Sequence, residues 1–176
     1  LFRETPLPHG EFDIAIGNPP FAQTVIASDP QYANNGFVLH DYFIAKSLDS
    51  VRPGGLLAMV TSAGTMNKAG DDARRYFAER ANFLGAIRLP GGTFGKNAGT
   101  QVTTDIIFLQ RRPEGRVPLD KAGDTSWTET VIRELPDRDG NMSEGHVSRY
   151  FTEHPEMVLG EEGFFDQLTA GVRYGV

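Results

Sequence analysis

Apolar positions follow two rhythms through the first 112 residues. The run Phe12 to Ile16 is short and apolar and reads as a strand. It stops at Gly17-Asn18-Pro19-Pro20-Phe21, because two successive prolines offer no N–H to a ladder. The stretch from Ala22 to Gly36 is polar and rich in Asn and Gly, a long loop. From Gly36 to Val51 apolar residues recur at helical spacing (Phe37, Val38, Ile44, Leu48, Val51), and Pro53-Gly54-Gly55 breaks that pattern as a tight turn. Leu56 to Thr61 is a continuous apolar run of strand length, as in a buried parallel strand. Ala69 to Asn82 reads as a second helix, with Asp71-Asp72 in its first turn where the dipole favours them. Leu84 to Leu89 is a third strand, Gly91 to Gly99 a Gly-rich loop, and Val102 to Gln110 a last strand closed by Arg111-Arg112-Pro113.

Strand and helix thus alternate, which implies an α/β fold: a mostly parallel sheet with helices on its faces and a late strand. After residue 112 the rhythm weakens. Residues 113 to about 145 are polar and dotted with Pro and Gly, more linker than core, and Val147 to Phe165 reads as a short helix or an extended docking segment. The expected division is 1–112 as the catalytic-type domain and 113–176 as an irregular, acidic extension.

Charge sharpens that division. The net charge is −6 over 176 residues, yet residues 1–112 carry eleven Lys and Arg against ten Asp and Glu, net +1, and residues 113–176 carry six against thirteen, net −7. The first part offers Arg74-Arg75, Arg80, Arg88, Lys96 and Arg111-Arg112 to phosphates, whereas the acidic part is unsuited to nucleic acid. Cysteine is absent, which excludes disulfides and thiolate zinc sites and suits a reducing compartment. No apolar run approaches the roughly 20 residues of a membrane span and no signal-peptide pattern is present, so the expectation is a cytoplasmic protein that does not meet membranes. The four His residues (His9, His40, His146, His154) lack metal-ligand spacing, and no metal is expected.

The chemistry concentrates in the loop after the first strand. Ligands of open α/β sheets bind beyond the carboxyl ends of the strands, and here a rigid Pro pair holds an Asn amide and an aromatic ring at that end. An amide acceptor beside a flat ring suits a planar base bearing an amino group; a plain turn is the competing reading, since Asn-Pro-Pro forms turns anywhere.

The segment FDIAIGNPPF, Phe12 to Phe21, resembles the Asn-Pro-Pro-aromatic motif of S-adenosylmethionine-dependent N6-adenine DNA methyltransferases. Phe43 to Leu48 with Arg52 to Val60 resembles that family's next helix, turn and strand. Leu89-Pro90, Phe94 and Val102 to Leu109 resemble its late strands and substrate loop. The resemblance covers about two-thirds of the chain. It is strongest to the methylase regions of phage- or plasmid-borne helicase–methylase proteins and to type I modification subunits, with a weaker trace around Tyr150-Phe151 and His154 to Met157.

This likeness implies a partial Rossmann-like methyltransferase sheet. It assigns Asn18, Pro19, Pro20 and Phe21 to catalysis, with Phe21 stacking on an adenine turned out of duplex DNA. Phe94 would touch the same base, and Lys96 and Thr100 would reach phosphate. Gly17, Asn18 and Phe43 would contact S-adenosylmethionine, although Phe43 equally suits a core position. Asp41 reads as an exposed helix residue or a polar cofactor contact, and Trp127 as an anchor of the acidic segment. The family's Gly-rich cofactor loop and its ribose-binding acidic residue do not precede Phe12. The chain therefore reads as the C-terminal half of a catalytic domain, inactive alone, whose partners are DNA and the remainder of a larger polypeptide. Its first strand would be an unpaired edge prone to self-association. Two other functions share the motif: a protein glutamine or RNA methyltransferase, and a non-catalytic DNA-binding or assembly module of a helicase–methylase protein.

Overall fold

The computed structural model describes residues 5–91, 93, 103–137, 139–169 and 171–175. Four strands form one sheet in the order β1-β2-β4-β3: β1 Phe12–Gly17, β2 Val51–Ser62, β3 Ala81–Leu89 and β4 Thr104–Arg111. β1 and β2 run parallel, as the α-helical crossover between them requires, and the sheet is mostly parallel. The chain divides into two compact units: Leu1–Thr61, Asp72–Gly85 and Ile107–Gly123 form the first; Ser62–Asp71, Ala86–Ile106 and Asp124–Val176 the second.

In the first unit, helix α1 spans Leu39–Ser50 after a 3-10 turn at Ala33–Asn35. Gly36 takes φ 63° between them, so the helix begins three residues later than the apolar spacing predicts. Its last carbonyls find a donor far away in sequence. The Arg111 guanidinium bonds to the carbonyls of Leu48, Asp49 and Val51, and the Gly10 and Glu11 N–H groups bond to those of Asp49 and Ser50, so the helix end is satisfied from outside the helix. Helix α2, Gly64–Asn67, lies in the second unit. Helix α3, Asp72–Arg80, lies in the first and is shorter than the predicted 69–82. Ile44, Leu48, Val51, Phe77, Ile107 and Leu109 are all fully buried in the first unit. Of these, Ile44, Leu48 and Val51 are positions picked out by the helical period, and Ile107 and Leu109 lie in the predicted last strand.

Pro53-Gly54-Gly55 does not end an element. β2 runs straight through it as a bulge, with the register passing from Phe12↔Val51 to Ile14↔Leu56. Gly54 sits at φ 77°, and a Cβ on Gly55 would lie 2.5 Å from Val51 Cγ1 and 2.7 Å from the Asp13 carbonyl oxygen. Only glycine fits there, and Pro53 is tolerated because bulged positions are freed from the ladder.

The last third is far more regular than its composition suggests. β5 (Thr130–Pro136) and β6 (Met142–Ser148) form an antiparallel hairpin with Thr130↔Ser148 at its open end. Its turn is tied by the Asp137 carboxylate, which accepts from the N–H groups of Asp139 and Asn141 at 2.9 Å each. Helix α4, Arg149–Glu153, follows, and then a second hairpin, β7 (Gly163–Thr169) with β8 (Gly171–Gly175). Leu135, Val147 and Phe164 form a buried cluster. Gly145 faces the Phe164 ring, which a Cβ would meet at 2.7 Å. The expectation of an irregular extension is corrected. Arg133, Glu134, Glu144 and His146 are strand residues of a hairpin with one solvated side, and their charges mask a strand that is only half buried.

Candidate functional site

The Asn-Pro-Pro-Phe loop leaves the sheet directly from β1, where Ile16 pairs with Ala58 and Gly17 with Met59. The closeness of β2 explains the glycine: a Cβ on Gly17 would lie 3.0 Å from Met59 Sδ. Asn18 is exposed, Pro19 is buried and Pro20 is exposed. Burial of Pro19 anchors the turn and leaves the Asn18 amide presented to solvent at the strand end. The Phe21 ring is half-buried and stands edge-on to His40, with centroids 6.1 Å apart and planes at 88°. His40 is buried in the first turn of α1, its Nε2 4.0 Å from Asp41 Oδ1. The structure thus brings Phe21 onto the start of α1. Phe43, on the same helix, is half-buried, 5.9 Å from the Tyr42 ring.

The long segment from Ala22 to Val38 is held at several points. Val25 bridges Val38, the Ile26 N–H bonds to the Phe37 carbonyl at 2.9 Å, and Ile26 is buried. Asp29 is the main anchor. Its carboxylate accepts from Lys46 Nζ at 2.9 Å, from the Tyr42 hydroxyl at 2.8 Å and from the Gln31 N–H at 3.2 Å. Burial alone would raise the Asp29 carboxyl, but the bonds from Lys46, Tyr42 and Gln31 outweigh it and hold the group below the ordinary carboxylate value. Burial likewise opposes charge on Lys46, and its bonds to Tyr42 and Asp29 prevail and raise its pKa. Nearby, Asp49 accepts from the hydroxyls of Tyr32 at 2.8 Å and Tyr76 at 3.2 Å. A cleft of about 310 Å³ opens beside Asp29, Tyr32, Lys46 and Ser50. Neither Asn18, Phe21 nor Phe43 lines it.

Sequence reasoning missed Asp29, Lys46 and His40, because single polar residues in a loop and on a helix carry no periodic signal. Asp41 is corrected from an exposed position to a fully buried one. The proposed phosphate contacts are also largely corrected. Arg74 is fully buried, Arg88 is buried in an ion pair, and the Arg80 guanidinium lies 3.4 Å from the Tyr76 ring centre. Arg111 caps α1, and Arg112 donates to the carbonyls of Ala78 and Ala122. Of that set, Arg75 alone is exposed among the described residues. Long cationic side chains near a sheet end serve as internal donors as readily as phosphate ligands. Phe94, Lys96 and Thr100 lie outside the described residues. Trp127 is buried in a 3-10 turn, Ser126–Thr128.

In the second unit, Arg88 and Asp105 form a bidentate pair, Nε to Oδ1 and Nη2 to Oδ2 at 2.8 Å each, with no solvent exposure of either side chain. Asn67 Oδ1 accepts from Arg88 Nη2 at 3.1 Å and from the Ser148 N–H at 2.9 Å. The Phe151 ring covers the guanidinium at 4.2 Å. No group of three or more His, Asp or Glu side chains suited to a metal occurs among the described residues, and no described helix is long and apolar enough to cross a membrane.

An α/β sheet whose first strand ends in an exposed Asn, a Pro pair and a supported ring defines the class. The chain belongs to the Eco57I restriction-modification methylase family, whose model matches residues 2–92, just over half of its length. Over 111 residues, 60% of this chain, it is 32% identical to defense against restriction protein B of Escherichia phage P1, a span that is 5% of the phage protein. Among solved structures it matches the M protein of the type I restriction enzyme EcoKI at 22% identity and a TM-score of 0.46, over 64% of this chain and 24% of that one. The ATP-dependent type ISP restriction-modification enzyme LlaBIII, solved bound to DNA, matches at 15% identity and a TM-score of 0.45, over 73% and 12%. The chain therefore spans a small part of the relatives it matches.

Proposed function

We propose that this chain carries the target-base loop of an N6-adenine DNA methyltransferase. The observation that carries the reading is the Asn18 amide, exposed at the carboxyl end of β1 and set there by a buried Pro19. The adenine amino group is a poor nucleophile because its lone pair is conjugated with the ring. The Asn18 side-chain carbonyl and the Pro19 backbone carbonyl supply two acceptors for its hydrogens. They draw the nitrogen toward tetrahedral geometry by position and fixed dipoles alone. Phe21 stacks on the extruded base, braced from behind by His40. Phe94 contacts the same base, and Lys96 and Thr100 take phosphate.

S-adenosylmethionine supplies an activated methyl on sulfonium. The residues at hand fit it in part. Phe43 keeps part of its ring open as an apolar platform and Asn18 offers a polar contact, whereas the open side of Gly17 is taken by Met59. Phe43 and Asn18 do not enclose the cofactor, and we assign the rest of its pocket to other parts of the polypeptide. Those parts also have a surface to meet. Phe12, Ile14 and Ile16 alternate along β1 and are exposed, Leu56 beside Ile14 is exposed too, and β1 is the terminal strand of its sheet. Parallel sheets are covered on both faces, so this apolar row is the docking surface for the remaining domain and, in the isolated chain, for a second copy.

The test is transfer of labelled methyl from S-adenosylmethionine to mixed-sequence DNA, by the complete polypeptide and by residues 1–176 alone. The expected result is label on adenine N6 with the complete polypeptide only, lost by a factor of about 100 or more in Asn18→Ala. Phe21→Ala lowers transfer strongly and Phe21→Trp much less. Label on glutamine or RNA, or an Asn18→Ala protein as active as wild type, overturns the reading.

A further inference from the structure

A ring that stacks on an extruded base does so best when its plane is set before the base arrives. The motif alone does not set it. Pro19 and Pro20 each lock their own φ at about −65°, which stiffens the backbone of the loop. Their constraint ends there, and the Phe21 side chain still turns about its own dihedrals. A turning ring loses that freedom when the base binds, whereas a ring held in advance has lost it on folding and binds at lower cost. The group that holds Phe21 belongs to another element.

His40 stands against Phe21 in the T-shaped arrangement that aromatic pairs favour, with centroids 6.1 Å apart and planes at 88°. Among the described residues it is the one ring in contact with Phe21. His40 is buried, so it has no solvent side to turn toward. Its backbone lies in the first turn of α1, which the Tyr42 N–H closes on the Val38 carbonyl at 2.9 Å. That turn is tied in its own right. The Tyr42 hydroxyl donates to Asp29 Oδ2 at 2.8 Å, and Lys46 Nζ, one turn further on, donates to the same oxygen at 2.9 Å. The chain thus leaves Phe21 beside His40 and returns to the same helix at Asp29. Both ends of that excursion are fixed on α1, one by a ring contact and the other by an ion pair. His40 Nε2 is 4.0 Å from Asp41 Oδ1, beyond hydrogen-bond reach, which leaves the ring as the part of His40 that faces the motif.

We propose that His40 is a positioning residue for the target base. It sets the plane of Phe21 through ring contact and touches neither base nor cofactor. The inference rests on the proposed methyltransferase reading, in which Phe21 stacks on the extruded adenine. It assigns the contact to DNA binding and not to methyl transfer, because a ring set in advance strengthens the hold on the base without acting on the reacting nitrogen.

The test uses the complete polypeptide, mixed-sequence DNA and labelled S-adenosylmethionine. His40→Ala is expected to raise the KM for DNA about fivefold, with kcat and the KM for S-adenosylmethionine within about twofold of wild type. A residue that only stabilises the fold lowers the active fraction and hence kcat, with KM unmoved; that pattern, or no change in any constant, overturns the proposal. His40→Phe keeps a ring and is expected to restore the KM for DNA to within about twofold of wild type. His40→Gln keeps polar groups without a ring and is expected to behave as His40→Ala. The reverse order makes the role of His40 polar and overturns the proposal equally. A double-mutant cycle then reads the contact itself. In a Phe21→Ala background, His40→Ala is expected to raise the KM no further, since the ring on which it acts is gone. The same factor in both backgrounds removes the coupling and the proposal with it. Should His40→Ala not fold, His40→Gln takes its place in the cycle. Asn18→Ala, measured alongside, separates the two readings. An inactive Asn18→Ala beside unaltered His40 variants removes the positioning role alone, whereas a fully active Asn18→Ala removes the methyltransferase reading.

Discussion

Two buried ion pairs, one in each unit, fix their surroundings by different physics. Asp29 and Lys46 pin the segment that follows the Asn-Pro-Pro-Phe motif, and Arg88 and Asp105 tie the end of β3 to the start of β4. The first pair is a point contact. One ammonium meets one carboxylate oxygen at 2.9 Å, 7% and 11% of the two side chains stay exposed, and Tyr42 and Gln31 share the carboxylate. The second is a fork in a sealed place, with 0% exposure on both sides and both carboxylate oxygens engaged by one group. Redundant donors let the first pair bear the loss of one member, whereas the second has one cation for one anion. A loop can be anchored by charge and several bonds, whereas a planar fork fixes two neighbouring strands in one direction.

The largest effect tests this directly. Arg88→Ala leaves Asp105 buried without its cation, and the expected cost is about 3–5 kcal/mol in chemical denaturation. Lys46→Ala leaves Asp29 with the Tyr42 hydroxyl and the Gln31 N–H, and the expected cost is about 1–3 kcal/mol. Equal losses for the two variants would erase the distinction drawn between the pairs.

Acid separates the pairs next. The Asp29 carboxyl is depressed below 3.8 in the folded protein, so its contribution is fully present above 3.8 and disappears as pH falls through the lower folded value. The raised Lys46 works in the opposite sense: its contribution is present below 10.5 and is lost as pH rises through its folded value. Hydrogen exchange of the Ile26 and Tyr32 amides, which bond to the Phe37 and Asp29 carbonyls, should quicken below about pH 4. Acceleration beginning well above that pH would place the anchor elsewhere.

The α/β elements between residues 12 and 111 were legible in the sequence because apolar residues there run continuously or recur at the period of the element, even in β1, where Phe12, Ile14 and Ile16 are exposed. Phe12 to Ile16, Leu56 to Thr61 and the helix around Ile44 and Leu48 all read correctly by type. The bulge at Pro53-Gly54-Gly55 did not, because the residues that break a helix or make a turn are also those that fill a bulge. The hairpins after residue 124 were hidden by their charges. Val131 and Leu135 point to the pattern in hindsight, but Arg133 and Glu134 dilute it, and the partner strand holds Gly145 so that Phe164 can approach. At the site, the motif was visible as a local string, whereas its supports were not. His40 behind Phe21 and Lys46 beneath Asp29 become neighbours only after the chain folds, across separations that no local pattern records.

The smallest effect probes how the first pair shares its load. The Tyr42 hydroxyl donates to Asp29 at 2.8 Å and accepts from Lys46 at 3.0 Å, so it sits as a relay between two groups already in contact. Tyr42→Phe keeps the ring that packs on Tyr32 at 5.5 Å and on Phe43, and removes only that relay. The direct bond from Lys46 remains, and the expected cost is about 0.5–1.5 kcal/mol, below that of Lys46→Ala. The Asp29 carboxyl should also move upward in the variant, because one of the donors that lower it is gone while burial still raises it. Carboxyl chemical shifts followed through an acid titration read that movement. A Tyr42→Phe protein with unchanged stability and an unmoved Asp29 would remove the hydroxyl from the donors that support Asp29, and the first pair would be less redundant than its hydrogen bonds indicate.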